Sequence, residues 1–475
     1  MVFSSISFLF YFLPLFLLTF YASRCSKNTI AVFSIVFYAW GEPSHVILLC
    51  LSILMNYALG LLIERESAQQ TGQAGLWVSI GIVGNLVPLL YFKYASFIAQ
   101  IILDATGRPF GNLSFLPAAL PLGISFYTFH ALSYLVDVYR ADVRAERSIR
   151  DMILYIAMFP QLVAGPLIRY KMIADEIQRP RLSIERTAQG IRLFIVGLSQ
   201  KVLIANTLSV NADAIFALPP DLLSQPLAWV GIVCYTLQIY FDFGGYSLMA
   251  MGLAFMIGFT FPQNFNYPYV AHSMMDFWRR WHISLSAWFR DYVYIPLGGN
   301  RKSPARIYVN LTLVFLLCGL WHGAAWNFLV WGLAHGVFLV AERLGLDKTL
   351  AASPPAVRHA YVLIVVVATW TLFRADSLHH AGFYLAAMVG LGVDTPLAAP
   401  LQRYLGSDVV LAFVTAMAVV GPWGLALALR AERYLAGEDG RIHPHLEIGG
   451  LMMLLLLVSL SLAGGAYNPF IYFRF

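Results

Sequence analysis

The sequence is poor in charge. Asp, Glu, Lys and Arg make up 12% of its 475 residues, whereas a typical soluble domain has about 25%. Hydrophobic residues make up 59%, and the mean hydropathy is +0.69. So few charges could not cover the surface of a water-soluble fold of this size, which predicts a protein embedded in a lipid bilayer.

Cysteine pairs and ligand-binding motifs are also lacking. Cys50, Cys234 and Cys318 lie within apolar runs, and Cys25 is the only other cysteine, so we expect neither a disulfide framework nor a zinc site. The sequence contains no P-loop, dinucleotide fingerprint or nucleophilic serine elbow, and Gly298-Gly299 lacks the context of a phosphate loop. We expect no metal, no tightly bound cofactor and no nucleic-acid partner.

Apolar runs are present along the whole chain. Many approach the roughly 20 residues that a spanning helix needs, and the alternating pattern of barrel strands is absent. Because only helices or closed barrels satisfy backbone polar groups in lipid, the sequence predicts an all-α polytopic membrane protein with one domain over 1–475, in which 448–475 is a final span and tail. The runs lie near residues 2–22, 29–40, 45–63, 76–103, 115–136, 151–168, 190–210, 226–259, 307–320, 326–341, 359–373, 408–429 and 448–466.

The charges that flank the first and last runs predict the topology. No charge occurs from Val2 to Tyr21, and Arg24 and Lys27 follow. This order favours a spanning helix with its N-terminus outside over a cleaved signal peptide. The last run is likewise preceded by basic residues, so we expect both termini outside and an even number of spans. These residues are Arg430, Arg433 and Arg441.

Basic residues form three clusters between the apolar runs. Short basic loops stay cytoplasmic, which is the simplest explanation of the first two clusters. A phosphate-rich cytoplasmic ligand would use the same charges. The clusters are Arg140, Arg144, Arg147 and Arg150; Arg169, Lys171, Arg179, Arg181 and Arg186; and Arg279, Arg280, Arg290, Arg301, Lys302 and Arg306.

The densest polar stretch, 276–292, has the periodicity of an amphipathic helix with an aromatic face. We expect one helix that lies at the membrane interface or half-buried, with an interfacial anchor as the alternative to a functional role. One face comprises Phe277, Trp281, Leu285, Trp288 and Tyr292, and the other Arg279, His282, Ser286 and Arg290.

His322 lies between two apolar runs and is expected at membrane depth. An ionisable residue there is costly and is a functional candidate, and the alternative is a packed histidine satisfied by its neighbours. The spacing of Gly319 and Gly323 allows another helix or a ligand to approach the backbone closely. For His130 and His335 we expect the packed role.

Asp242 lies four residues after Gln238 in an apolar run, so the two can share one helix face. Asp242 is expected to orient a histidine or to cap a helix break at Gly244-Gly245, and a structural role is favoured.

Several long motifs resemble the membrane-bound O-acyltransferase family. FWRRWHISLSAWFRDYVYIPLGGNR, residues 277–301, looks like the family signature, and GLWHGAAWNFLVWGLAHG, residues 319–336, looks like the block that carries its invariant histidine. The resemblance extends to the alginate O-acetyltransferase branch through MVFSSISFLFYFLP at the start, and through the segments at 121–140, 159–170 and 240–253.

The resemblance implies a fold and a reaction. The fold is a ring of tilted transmembrane helices with a thin centre, where funnels from both sides meet at a buried histidine. His322 would be the catalytic histidine and His282 the second signature position. The reaction moves an acyl group from a cytoplasmic donor, expected to be acetyl-CoA, across a bacterial inner membrane to an acceptor in the periplasm, where both termini would lie. The residues expected to hold the coenzyme A phosphates are Arg279, Arg280, Arg290 and Arg301.

The branch also implies partners. These are membrane lipid, a periplasmic polysaccharide acetyltransferase and the polysaccharide synthesis and secretion machinery. The acceptor stays open between alginate, cellulose, another exopolysaccharide and peptidoglycan. A polysaccharide channel and a subunit that docks periplasmic enzymes are the non-enzymatic alternatives.

The C-terminal residues 469–475, PFIYFRF, resemble in layout the small one-span peptide of the teichoic-acid D-alanylation system. That peptide ends in a similar aromatic motif with a tyrosine that can carry the acyl group. By this resemblance Tyr472 would be acylated with His322 as the base. A phenol, with a pKa of about 10, loses its proton more easily than serine and leaves more readily. An aromatic belt at the interface is the alternative.

Overall fold

The computed structural model describes residues 2–70, 72–107, 116–117, 119–163, 165–392, 401–424, 426, 444–465 and 467–469. These residues form helices and turns, and no strand occurs among them, which confirms the predicted all-α class. Tyr472 and the basic residues near 430–441 lie outside the described residues.

The helices follow one another with short connections. They are α1 Leu13–Ala22, α2 Lys27–Gly41, α3 Val46–Gln69, α4 Ala74–Thr106, α5 Ile124–Tyr139, α6 Ile149–Ala157, α7 Phe159–Leu162, α8 Tyr170–Gln178, α9 Ile184–Ser199, α10 Asn206–Phe216, α11 Gln225–Met256, α12 Met274–Arg280, α13 Ile283–Phe289, α14 Pro304–His322, α15 Trp326–Ala341, α16 Asp347–Ala352, α17 Pro355–Arg374, α18 Leu378–Met388, α19 Ser407–Val419 and α20 Pro444–Ala463. Turns of π-helix cover Phe8–Phe12, Gln200–Ala205, Arg290–Tyr294 and Glu342–Leu346, and 3-10 turns cover Pro268–Val270 and Leu401–Tyr404.

Eight helical segments in the described residues are long and apolar enough to cross a membrane. The first apolar run is not one of them, because its helical part, Phe8–Ala22, is shorter than the roughly 20 residues that a span needs. The expected first spanning helix is therefore wrong by this measure. The side of the membrane on which each terminus lies stays a prediction.

The described chain divides into two compact units. The first comprises residues 1–191, 250–262 and 290–292. Its central helix α5 is buried along nearly its whole length. The hydroxyl of Tyr134 accepts from the backbone N–H of Glu146 at 2.9 Å, and the Glu146 carboxylate accepts from Tyr170 at 2.6 Å and Gln178 at 3.1 Å. Polar groups inside this unit are thus paired with one another, as burial requires.

The second unit comprises residues 192–249, 263–289 and 293–475. It contains both candidate histidines, on either side of α12 to α15. The buried carboxylate of Glu342 accepts from the backbone N–H groups of Met274 at 2.5 Å and Met275 at 3.0 Å. A negative charge at the start of α12 satisfies N–H groups that have no partner within the helix. This contact fixes where α12 begins.

Candidate active site

His322 is the last residue of α14, and a close helix pair holds it there. A Cβ atom on Gly319 would overlap the carbonyl oxygen of Phe328 in α15, and it would lie 3.3 Å from the Cα of Gly332. The backbones of α14 and α15 therefore touch one turn before His322, as the glycine spacing predicted for Gly319. Larger side chains at this crossing would push the helices apart.

Aromatic rings surround His322. The ring centroids of Trp321, Trp331 and Phe373 lie 4.8, 5.1 and 5.1 Å from the imidazole centroid, each edge to face. The residue is 7% exposed. This environment holds the imidazole in one orientation and keeps bulk water away from it.

The polar stretch 276–292 does not form the single helix that its periodicity predicted. Helix α12 ends at Arg280 and α13 begins at Ile283, with His282 between them in the left-handed region at φ 44°. Backbone groups of the preceding loop replace the missing helical bonds: Asn266 donates to the Arg280 carbonyl at 2.9 Å, and Ile283 donates to the Asn264 carbonyl at 3.0 Å. The aromatic face is nevertheless buried as predicted, with Phe277, Trp281, Leu285 and Trp288 all under 9% exposed.

This break turns His282 inward. The side chain is 1% exposed instead of lying on the polar face, which argues against an interfacial anchor at this position. A non-glycine residue in the left-handed region is uncommon, and such residues cluster at functional sites.

The side chain of Asn264 determines which nitrogen of His282 carries the hydrogen. Asn264 Oδ1 accepts from the Ser284 backbone N–H at 3.2 Å and from the Ser284 hydroxyl at 2.9 Å. Because a backbone N–H can only donate, this amide atom is the oxygen, and His282 Nδ1, 3.0 Å away, must donate to it. The neutral ring therefore has its lone pair on Nε2, which is buried and has no hydrogen-bond partner within the described residues.

The two histidines share a neighbour. The indole of Trp321 lies 6.1 Å from the His282 ring and 4.8 Å from the His322 ring, centroid to centroid. Phe243 of α11 closes the other contact of His282, edge to face at 4.7 Å. Two buried imidazoles around one indole provide the groups for proton transfer in a site with little water.

His130 and His335 are packed, as expected. His130 Nε2 accepts from the backbone N–H of Ile168 at 3.3 Å. His335 Nδ1 accepts from Trp278 Nε1 at 3.3 Å. Each histidine is 1% exposed, so each is a satisfied core residue.

The four predicted phosphate-binding arginines differ in their surroundings. Arg280 donates to Asp276 at 2.8 Å, and Arg290 donates to Asp291 at 2.7 Å. Arg279 and Arg301 are exposed. Since Arg280 and Arg290 are already paired, Arg279 and Arg301 are the better candidates for an anionic ligand. Arg290 belongs to the first compact unit and the other three to the second.

The carboxylate that Arg290 meets also pairs with Arg169. Partial burial acts to raise the pKa of Asp291, but the hydrogen bond from Arg290 and the positive charge of Arg169 hold that pKa below its ordinary value. Asp291 is thus an ionised anchor for both cations.

Asp242 is paired with a residue that sequence reasoning missed. The α11 helix runs unbroken through Gly244 and Gly245, so the expected helix break is wrong. Asp242 instead forms a buried ion pair with Lys201, at 2.8 Å. A sequence signal existed, because Lys201 and Asp242 are single opposite charges within two apolar runs, and such charges pair in membranes.

Comparison with known proteins agrees with this site. The model of the membrane-bound O-acyltransferase family matches residues 33–379, which include both histidines. The chain is 40% identical, over the full length of both proteins, to a Pseudomonas putida protein named "Probable alginate O-acetylase". It is 43% identical to the Pseudomonas aeruginosa protein of that name, over 82% of this chain and 75% of the relative. The Peptidoglycan O-acetyltransferase of Helicobacter pylori is 33% identical over 82% of this chain and 80% of its own length. The chain therefore belongs to the membrane-bound O-acyltransferase family and is an O-acyltransferase.

Proposed function

We propose that this enzyme transfers acetyl groups from cytoplasmic acetyl-CoA across the bacterial inner membrane for O-acetylation of an exopolysaccharide, with His322 as the base. The full-length similarity to proteins named as alginate O-acetylases supports the polymer class. The aromatic enclosure of His322 carries the catalytic assignment, because a thioester survives long enough to react with a hydroxyl only where water is scarce.

The first step follows from the chemistry of a thioester. A hydroxyl oxygen attacks the acetyl carbonyl carbon, the new C–O bond forms, and the C–S bond breaks. His322 removes the hydroxyl proton, which then passes to the departing coenzyme A thiolate. A general base contributes about 10²–10⁴-fold to such a rate.

The test replaces His322 by Ala. Polymer acetylation should fall about 100-fold or more, while the variant stays abundant in the membrane because Trp321, Trp331 and Phe373 still enclose the position. His335→Ala is the matched control, since His335 is a buried histidine of the neighbouring helix. Full acetylation by an abundant His322→Ala protein would overturn the proposal.

The acceptor in that first step is the phenol of Tyr472. Acetyl-tyrosine would then pass its acetyl group to a hydroxyl held by a periplasmic acetyltransferase, which regenerates the phenol and forms the new ester. The resemblance of 469–475 to the D-alanylation peptide supports this relay, as does 28% identity over 62% of this chain to the Teichoic acid D-alanyltransferase of Bacillus subtilis.

Tyr472→Phe tests the relay, because it keeps the aromatic ring and removes the nucleophile. Loss of polymer acetylation comparable to that in His322→Ala is expected, with acetylated C-terminal peptide detected by mass spectrometry only in the parent protein. An aromatic anchor would tolerate the change, so wild-type acetylation in this variant would exclude the relay.

Peptidoglycan is the second candidate acceptor, since the Helicobacter pylori relative is named for it. Alkali-labile acetate measured separately in secreted polysaccharide and in purified peptidoglycan, before and after deletion of the gene, distinguishes the two. Loss from the secreted polymer alone is the expected result.

A further inference from the structure

A buried ammonium group joins three parts of the second unit. Lys201 lies in the π-helical turn Gln200–Ala205 and is 1% exposed. Its Nζ contacts Asp242 Oδ1 at 2.8 Å, Asn206 Oδ1 at 2.6 Å and the backbone carbonyl oxygen of Pro469. An ammonium has three N–H donors, and these three oxygens use all of them.

The pair meets because two helices touch through glycine. A Cβ atom on Gly197 would lie 2.5 Å from the carbonyl oxygen of Gly245, and one on Gly245 would lie 2.6 Å from the carbonyl oxygen of Gly197. Lys201 follows Gly197 by about one turn, and Asp242 precedes Gly245 by about one turn. The close crossing therefore brings a cation and an anion together in a region from which water is excluded.

The segment near the C-terminus is fixed to the same helical stretch at three successive residues. The amide of Asn206 donates to Asn468 Oδ1 at 3.1 Å, and the hydroxyl of Tyr467 donates to Asp213 Oδ2 at 3.0 Å. Pro469 makes the third contact, with Lys201. Asp213 is itself held by Arg374 at 2.6 Å.

A lysine–aspartate pair that served helix packing alone would not need a chain carbonyl. Burying two charges costs several kcal/mol each before their attraction is counted, and apolar residues of similar size pack helices as well. Here the third ammonium hydrogen reaches the main chain three residues before Tyr472.

We infer that Lys201, Asp242 and Asn206 form a clamp that holds the chain at Asn468 and Pro469 and so determines how far Tyr472 can reach. Three residues span at most roughly 10 Å, so a fixed Pro469 confines Tyr472 to a small volume. Confinement of a nucleophile raises its effective concentration at the reacting centre. The clamp residues are positioning residues, and their effect on acetylation rests on the proposed relay through Tyr472.

The main variant is the double change Lys201→Met with Asp242→Leu. It removes both charges and keeps similar volumes, so no unpaired buried charge remains to unfold the protein. Asn468→Ala is the second variant, and it removes one half-buried hydrogen bond without touching the buried pair. Arg192→Ala with Glu447→Ala is the matched control, because that exposed ion pair also joins the α9 helix to the last described helix.

Two measurements on purified full-length protein distinguish the clamp from the relay. Deuterium uptake of the C-terminal peptide reports whether the tail is held, and it does not depend on chemistry. Acetyl-tyrosine in the same peptide, after incubation with acetyl-CoA, reports delivery. In the double variant we expect about tenfold faster uptake and about tenfold less acetyl-tyrosine, with smaller effects of the same sign in Asn468→Ala and none in the control.

Unchanged deuterium uptake in a folded double variant, or in Asn468→Ala if the double variant does not fold, would overturn the clamp. Full polymer acetylation by Tyr472→Phe would overturn the relay instead, and faster uptake in the clamp variants would still support the clamp.

Discussion

Asn264 Oδ1 accepts a hydrogen bond from His282 Nδ1 at 3.0 Å, and this bond leaves the lone pair of His282 on Nε2. The same oxygen is held by Ser284 through both its backbone N–H and its hydroxyl. Asn264 therefore fixes the tautomer of a histidine that has no other hydrogen-bond partner in the described residues. A base with a fixed tautomer is ready to accept a proton at one atom only.

Changes at Asn264 should therefore alter the reaction more than the fold. Asn264→Leu keeps the volume but removes the acceptor, so we expect about a tenfold or greater loss of acetylation rate. Ser284→Ala is the control, because it removes one donor and leaves the His282 bond intact. Equal rates in Asn264→Leu and the parent protein would show that His282 has no part in proton transfer.

Asn264→Asp should change the pH dependence. A carboxylate beside Nδ1 stabilises the imidazolium form of His282, so activity would be lost at a higher pH as the solution is acidified. The pH–rate profile of purified protein measures this shift. An acidic limb that does not move would mean that a different group titrates in the reaction.

The arginines should separate by their partners. Arg279→Glu reverses an exposed charge, so we expect about a fivefold rise in the KM for acetyl-CoA, with little change in kcat or in protein amount. Arg290→Glu instead places a like charge next to Asp291 and should lower the amount of folded protein. Arg144→Glu controls for net charge, and a KM for acetyl-CoA in Arg279→Glu that matches this control would remove Arg279 from the donor site.

The glycine contact beneath His322 should be intolerant of side chains. Gly319→Val forces a Cβ against the Phe328 carbonyl, and overpacking of this kind costs about 1–3 kcal/mol. Protein abundance and thermal midpoint in detergent should both fall. Gly449→Val is the matched control, because a Cβ there meets nothing within 4 Å, and an equal effect at both positions would contradict the packing argument.

The membrane class and the burial of His322 could be predicted because both depend on local apolar length. The break between α12 and α13 could not, because the aromatic periodicity of Phe277, Trp281 and Leu285 continues through it. The break depends on Asn264, which lies 18 residues before His282. Tertiary contacts of this kind override helix periodicity, and no pattern within 276–292 announces them.

The grouping of the arginines failed for a related reason. Arg290 and Arg279 have the same charge in the sequence, but Asp291 neutralises the first and no comparable carboxylate lies beside the second in the sequence. Only the structure shows that Asp291 also holds Arg169.

The two ends of the proposed chemistry become available at different times while the protein is made. The contact that seats His322 joins Gly319 to Phe328, within one helical hairpin that can insert as soon as both helices leave the ribosome. The contact between Lys201 and Pro469 joins residues 268 positions apart, so it forms only when synthesis is almost complete. A nascent chain thus has its histidine seated long before its tail can be gripped, and truncated translation products would carry a built site without a tethered acyl carrier.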